Sequence, residues 1–220
     1  MTRVAVLASG GGSNLQAILD HQSSLGEAAV ARVVLVASDQ PDAGALERAR
    51  KAGITALYLD RTARTTGLAA ILDVHHIELV VLAGYLRLVP PDVVAHYRGR
   101  ILNIHPAPLP RFGGPGMYGH RVHEAVLASG ERLTGPTVHF VDERFDEGPI
   151  IFQWPVPVEP SDTPESLAKR VLSMEHQIYP EIIEAVAAGF IRLDADNSVL
   201  YGGTKNPAIL DFQIPDPDLE

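Results

Sequence analysis

The sequence predicts a doubly wound α/β fold: a mostly parallel sheet with helices on both faces. Three observations predict it. Short apolar runs rich in Val, Ile and Leu recur through the first half of the chain. Segments with helical spacing or good helix formers separate them. A glycine-rich turn, "SGGGSN" (9–14), joins the first run to the first helical segment. Regular alternation of this kind implies right-handed βαβ units.

In chain order the strands are "RVAVLAS" (3–9), "RVVLVAS" (32–38), "ITALYL" (54–59), "LVVLAGY" (79–85) and "ILNIH" (101–105). Their unbroken apolar character suits strands covered on both faces. The intervening helices are "NLQAILDH", "GALERARKAG", "GLAAILDVHH" and "PDVVAHY". The second half changes character. A helix around "HRVHEAVLASG" leads to "TVHFVDE" and "IIFQWPVPV", which read as paired strands. Residues 163–189 have the length of a long helix, with Thr163 as cap, Pro164 at its first position and Glu165 and Ser166 nearby. Pro180 is expected to kink or split it. "IRLDADNSVLYGG" reads as a terminal hairpin, and the acidic, proline-punctuated tail is expected to be mobile. The division expected is a domain over 1–190 and a hairpin with tail over 191–220.

The chain has 220 residues, 46% hydrophobic and 20% charged, enough for one sizeable core. No apolar run approaches the ~20 residues of a membrane span, and no secretory signal is evident. Cysteine is absent, which removes disulfides and thiol chemistry and fits a cytoplasmic setting. A net charge of −9 argues against nucleic-acid or acidic-membrane partners. A small anion would need a helix N-terminus or a few arginines. Monomer and homodimer both remain open.

Three segments carry candidate chemistry. In "ILNIHPAPLP" (101–110), Asn103 and His105 are two apart in a strand and so face one side. The three prolines predict an extended, stiff loop after them. In "SGGGSN", backbone N–H groups of Gly11, Gly12, Ser13 and Asn14 at a helix N-terminus suit a phosphate. Equally, it is a tight turn capped by Ser13 or Asn14. It lacks the GK[ST] of an NTPase loop, and Leu15 stands where a dinucleotide motif needs its third glycine. The fourth strand runs into "YLRLV". In the common strand order, strands one and four flank the switch point where ligands sit, so this segment and the glycine loop should line one cleft.

"VDERFDEGPII" (141–151) adds Asp142, Glu143, Asp146 and Glu147. One of these carboxylates can orient His105, and spacing alone does not select which. His120, His123 and His139 are scattered, no HExxH occurs, and no metal is expected.

Together "SGGGSNLQAI", "VVLAGYLRLV", "ILNIHPAPLP", "TVHFVDERFDEGPII" and "MEHQIYP" resemble the folate-dependent formyltransferases, above all the glycinamide ribonucleotide branch. The resemblance covers most of residues 1–190 in order and spacing. It implies a Rossmann-like formyltransferase fold. The implied reaction is transfer of a formyl group from 10-formyltetrahydrofolate, a dissociable co-substrate, to the amine of glycinamide ribonucleotide. By the same resemblance Asn103, His105 and Asp146 are catalytic, Gly11, Gly12, Ser13 and Asn14 hold phosphate, and Glu175 meets the ribose. Leu86, Arg87, Leu88 and Val89, with Asn103, line the folate site, and Arg61 or Arg64 adds a further folate contact. The segment 111–124 is longer than in compact relatives, which leaves His120 and His123 without a role.

The chemistry suits these residues. Attack of an amine on a formyl carbon makes an oxyanion that needs fixed donors, here the Asn103 amide and a His105 kept protonated by Asp146. The rival readings are a formyltetrahydrofolate hydrolase or another formyl-folate enzyme, such as a methionyl-tRNA formyltransferase. More distant are a nicotinamide dehydrogenase with Asp39 on a ribose, and a non-catalytic nucleotide-binding module.

Overall fold

Of the strands predicted as apolar runs, the first, second, fourth and fifth are largely buried, whereas the third is an exposed edge strand. In the computed structural model, which describes residues 1–202, they form β1 (Thr2–Leu7), β2 (Ala31–Ser38), β3 (Thr55–Tyr58), β4 (Leu79–Leu82) and β5 (Ile101–His105). Between them run α1 (Ser13–Leu25), α2 (Gly44–Lys51), α3 (Arg61–Thr65), α4 (Leu68–Val74) and α5 (Pro91–His96). Then follow α6 (His120–Ser129), β6 (Leu133–Thr134), β7 (Thr137–Phe140), β8 (Ile150–Gln153), β9 (Val156–Pro157) and α7 (Pro164–Ala187). The hairpin of β10 (Ile191–Leu193) and β11 (Val199–Tyr201) closes the described chain.

The central sheet has the order β3-β2-β1-β4-β5-β7-β8. The first five strands are parallel, and β7 and β8 add antiparallel to β5 and to each other. Strands β1 and β4 are neighbours whose connections leave in opposite directions, so a crevice opens at their carboxyl ends. Each sheet face has its own core. Val4, Val6, Leu15, Leu46, Ile178 and Tyr179 belong to one, and Ala5, Leu7, Leu72, Val80, Val93 and Tyr97 to the other. Alternate residues of one strand serve opposite cores, as a period of two requires.

Helix α7 starts as its sequence directs. Thr163 and Ser166 exchange side-chain and backbone hydrogen bonds in a capping box, with Pro164 at the first position. Pro180 does not split it: the helix is continuous from Pro164 to Ala187. Burial of Ile178, Tyr179, Ile182 and Ile183 against the sheet compensates for the one intrahelical bond that proline cannot make.

Two local expectations are corrected. The α1 N-cap is Gly12, without a side-chain cap, and not Ser13 or Asn14. The proline segment after His105 is not extended. It turns, with a cis Leu109–Pro110 peptide and a hydrogen bond from the Phe112 amide to the Pro108 carbonyl, because fixed φ values favour turns as readily as extension. The tail from 204 onward lies outside the described residues.

Candidate active site

Strand β5 presents Asn103 and His105 on one side, and both meet Asp146. Asn103 Nδ2 donates to Asp146 Oδ1 at 3.3 Å, and His105 Nδ1 lies 3.5 Å from Asp146 Oδ2. Asp146 arrives on the loop between β7 and β8 with φ 57°, a left-handed conformation that aspartate tolerates better than most residues. Two residues on, Gly148 lets this loop close: a Cβ there would fall 1.9 Å from the Phe140 carbonyl oxygen. Asp142 and Glu143 face a different groove, beside Val94 and Arg98, and Glu147 pairs with Arg144. The tertiary structure thus selects Asp146 among the four carboxylates.

Hydrogen-bond partners fix both imidazoles. His105 Nε2 donates to the Phe112 carbonyl at 2.7 Å, so a neutral ring leaves its lone pair on Nδ1, toward Asp146. His139 Nδ1 donates to the Phe140 carbonyl at 2.8 Å, and its Nε2 accepts from Asn103 Nδ2 at 3.0 Å. His139 stands directly across the ladder from Asn103. It appeared in the sequence only as a candidate metal ligand. Its position in "TVHF", in a strand paired with β5, is the signal for its real contact. Among the described residues no group of three or more side chains is arranged to hold a metal.

The charge states depart from expectation. Burial pushes the His105 pKa below its ordinary value, outweighing Asp146 and the Phe112 carbonyl, which favour the charged form. His105 is therefore not held protonated by Asp146. Burial also pushes the Asp146 carboxyl up, but His139, His105 and the Gly114 amide, 3.0 Å away, hold it below the usual carboxylate range. Behind His105, burial and the neighbouring His120 and His105 push His123 down to about 4. A neutral, buried packing residue is thus its state.

A cavity of about 270 Å³ opens before these groups, between Asn14, Gly84–Leu86, Asn103–Pro106, Gly114–Gly119 and Glu175. Glu175 projects from α7 with its carboxyl pushed up to about 7 by burial, against the hydrogen bond donated by Asn14 Nδ2 at 2.6 Å. One turn on, the buried Tyr179 hydroxyl lies within hydrogen-bond distance of the Leu82 and Leu102 carbonyls, seating α7 against β4 and β5. A second, smaller cavity of about 50 Å³ lies between Arg87–Val89, His139, Val141 and Arg144. Tyr85, Asn103, Phe145 and Asp146 line both cavities and form the wall between them.

A model of the family described as "Formyl transferase" matches residues 2–183. The chain belongs to the formyl transferase family. It is 42% identical over 212 residues to the chloroplastic phosphoribosylglycinamide formyltransferase of Arabidopsis thaliana, covering 93% of this chain and 72% of that protein. It is 39% identical over 210 residues to the phosphoribosylglycinamide formyltransferase of Escherichia coli, covering 93% and 95%. The crystal structure of glycinamide ribonucleotide transformylase 1 from Symbiobacterium toebii superposes with a TM-score of 0.83 at 43% identity, over 92% of this chain and 95% of that one.

In this formyl transferase the predicted site residues fall as follows. Asn103, His105, Asp146 and Glu175 converge at the cleft, with Asn14, whose buried Oδ1 has no protein partner. Gly12 and Ser13 open α1 beside it, whereas Gly11 lines a separate groove between α1 and α2. Leu86 lines the larger cavity, and Arg87, Leu88 and Val89 the smaller. Arg61 is exposed at the start of α3 and lines neither cavity, while Arg64 is close enough to Tyr85 to act on its phenol. Arg87 is not a free cation: its Nε donates to Asp39 at 2.7 Å. Both Asp39 oxygens are taken, by Ser9 and by Arg87 and Gln40, which removes the ribose role a dehydrogenase would give it. The sequence reading missed the Phe112 carbonyl, the 114–119 loop and the Asn14–Glu175 bond, all of which depend on segments meeting at long range.

Proposed function

We propose that this formyl transferase moves the formyl group of 10-formyltetrahydrofolate to the amine of glycinamide ribonucleotide. The products are formylglycinamide ribonucleotide and tetrahydrofolate, and the reaction is a step of de novo purine biosynthesis. One observation carries the reading: Asn103 and Asp146 stand in the wall between two cavities, where an amine entering from one side meets a formyl group entering from the other. The relatives' names support the glycinamide acceptor and the formyl group transferred; the folate donor is part of this reading. Residues 1–190 make the catalytic unit, acting in the cytoplasm on small soluble substrates without a metal.

In this reading the phosphate rests on the N–H groups of Gly12, Ser13 and Asn14 at the start of α1, which lack helical acceptors, with Gly11 contributing only if the loop before the helix turns toward the cleft. Glu175 and Asn14 hold the ribose. Leu86, Arg87, Leu88 and Val89 take the folate, and Arg64 is better placed than Arg61 to assist. The amine nitrogen bonds to the formyl carbon and the carbonyl electrons move to oxygen. Asn103 is the nearest donor for that oxyanion. Its 3.3 Å bond to Asp146 is longer than its 3.0 Å bond to His139, so it is the one that turns to the substrate. The ammonium loses its proton toward His105 Nδ1 and Asp146. The oxyanion electrons then re-form the carbonyl, the bond from carbon to the folate nitrogen breaks, and that nitrogen takes the proton that His105 received from the amine. A neutral His105 suits this role, since its free lone pair receives the proton and Asp146 stabilises the imidazolium only then.

The test offers glycinamide ribonucleotide beside water as acceptor. Formyl must appear on the amine. Release of formate irrespective of nucleotide would mark a hydrolase, and no turnover a binding module.

A further inference from the structure

Asp39 ends β2 with its side chain 1% exposed, under the loop that follows β4. Its Oδ1 accepts from the Ser9 hydroxyl at 2.6 Å. Its Oδ2 accepts from Arg87 Nε at 2.7 Å and from Gln40 Nε2 at 3.0 Å. Ser9 Oγ in turn accepts the Leu86 amide at 3.0 Å, and the Ser9 amide donates to the Gly84 carbonyl at 3.0 Å. One buried carboxylate thus ties the ends of β2 and β1 to residues 84–87, which open the segment lining the smaller cavity. Burying a charge this deeply is costly unless it is fully paired, and here every partner belongs to that loop or to its support.

The attachment point on Arg87 is informative. A guanidinium has five N–H donors in a planar fork. Asp39 takes Nε alone, and the Arg87 side chain, 49% exposed, lines the smaller cavity, so its terminal nitrogens are open to a ligand there. A carboxylate is the ligand whose geometry matches such a fork. The donor proposed above ends in a glutamate tail, and the protein carries a net charge of −9 that would otherwise repel it.

We propose that Asp39 is a positioning residue of the formyl-donor site: it holds Arg87 by Nε so that the guanidinium fork receives the donor's tail carboxylate. This rests on the folate reading of the smaller cavity and adds to it a residue that never touches substrate. The opposite possibility is that Asp39 competes with the tail for Arg87. The two differ in sign.

The experiment compares two formyl donors, 10-formyltetrahydrofolate and the tail-less 10-formyltetrahydropteroate, on wild type, Asp39→Ala, Asp39→Asn and Arg87→Ala. Asp39→Ala raises the KM of the glutamate-bearing donor about tenfold, the loss expected for one charge-assisted contact at a half-exposed site. The KM of the tail-less donor, the nucleotide KM and kcat stay within about twofold. Asp39→Asn, which keeps an acceptor but not the charge, shows a smaller rise. In an Arg87→Ala background Asp39→Ala changes nothing further. Equal rises for both donors would reduce Asp39 to a structural role and overturn the proposal, and so would a lowered KM for the glutamate-bearing donor. If wild type fails to formylate the nucleotide, the functional reading falls separately. Dissociation constants of tetrahydrofolate and tetrahydropteroate, read by fluorescence, then test the same tail-specific ratio without turnover.

Discussion

Asp146 Oδ2 stands 3.5 Å from His105 Nδ1, on the side of the ring away from the nitrogen that donates to Phe112. The carboxylate therefore faces a lone pair in the resting state and an N–H only after proton transfer. Its contribution belongs to the reaction more than to the ground state.

Asp146→Asn should lower kcat by at least ~10²-fold, the order found when a group acting on the transition state is lost, with both KM values little changed. The His105 pKa, already below its ordinary value, should fall further, because the carboxylate opposing burial has been neutralised. A histidine NMR titration reads this directly. If His105 titrates the same in both proteins, Asp146 does not act through it.

Asn103→Ala should cost ~10²–10³ in kcat, the range for one oxyanion donor. His139→Ala should cost about tenfold, since it leaves Asn103 in place but removes the acceptor that orients its amide. The double variant should be no worse than Asn103→Ala. Additive losses would mean that His139 acts independently of Asn103.

Glu175 gives a pH signature of definite sign. Its folded pKa of about 7 lies above the ordinary 4.5, so folding favours the protonated form. The stability it contributes is fully present below pH 4.5 and is lost as pH rises through 7. Glu175→Gln should match wild type in melting temperature below pH 4.5 and exceed it above pH 7. Nucleotide binding should move the other way in wild type, tightening through pH 7 as the carboxylate becomes a better acceptor for ribose hydroxyls. Parallel melting curves for the two proteins from pH 4 to 8 would show that Glu175 does not titrate there.

Gly12→Val should weaken nucleotide binding by more than tenfold while sparing folate. Gly12 has φ 74°, which costs a side chain ~1–2 kcal/mol, and a Cβ would lie 2.7 Å from Ala45 Cα. The loop must move away from α2, taking its N–H groups with it. Calorimetric titration with each ligand separates the cases: equal losses for both would indicate misfolding.

The fold was legible because its signals are local. Each of the five parallel strands was located to within three residues, and their alternation with helices implied the sheet. The site was legible in part. Asn103 and His105 share a side because they are two apart in β5, whatever surrounds them. Glu175 and Asp146 were named through a resemblance, not by spacing. Arg87 is placed at the folate site by the same resemblance, and nothing near it in sequence reveals that Asp39 comes to meet it. The proline segment was expected to run straight, because fixed φ values restrict a chain without saying where it goes.

The sequence by itself determined the alternation of the five parallel strands with helices, the crevice beside β1 and β4, and the pairing of an amide with an imidazole at the end of β5. These follow from periodicity and backbone stereochemistry, which act over a few residues. Only the tertiary structure decided which of four carboxylates reaches His105, that Phe112 takes one of its nitrogens, and that the ring is neutral. Those outcomes depend on desolvation and on contacts between segments 7 to 41 residues apart in sequence. Burial sets the charge of an imidazole more strongly here than the carboxylate beside it, and burial is a property that no short stretch of sequence possesses.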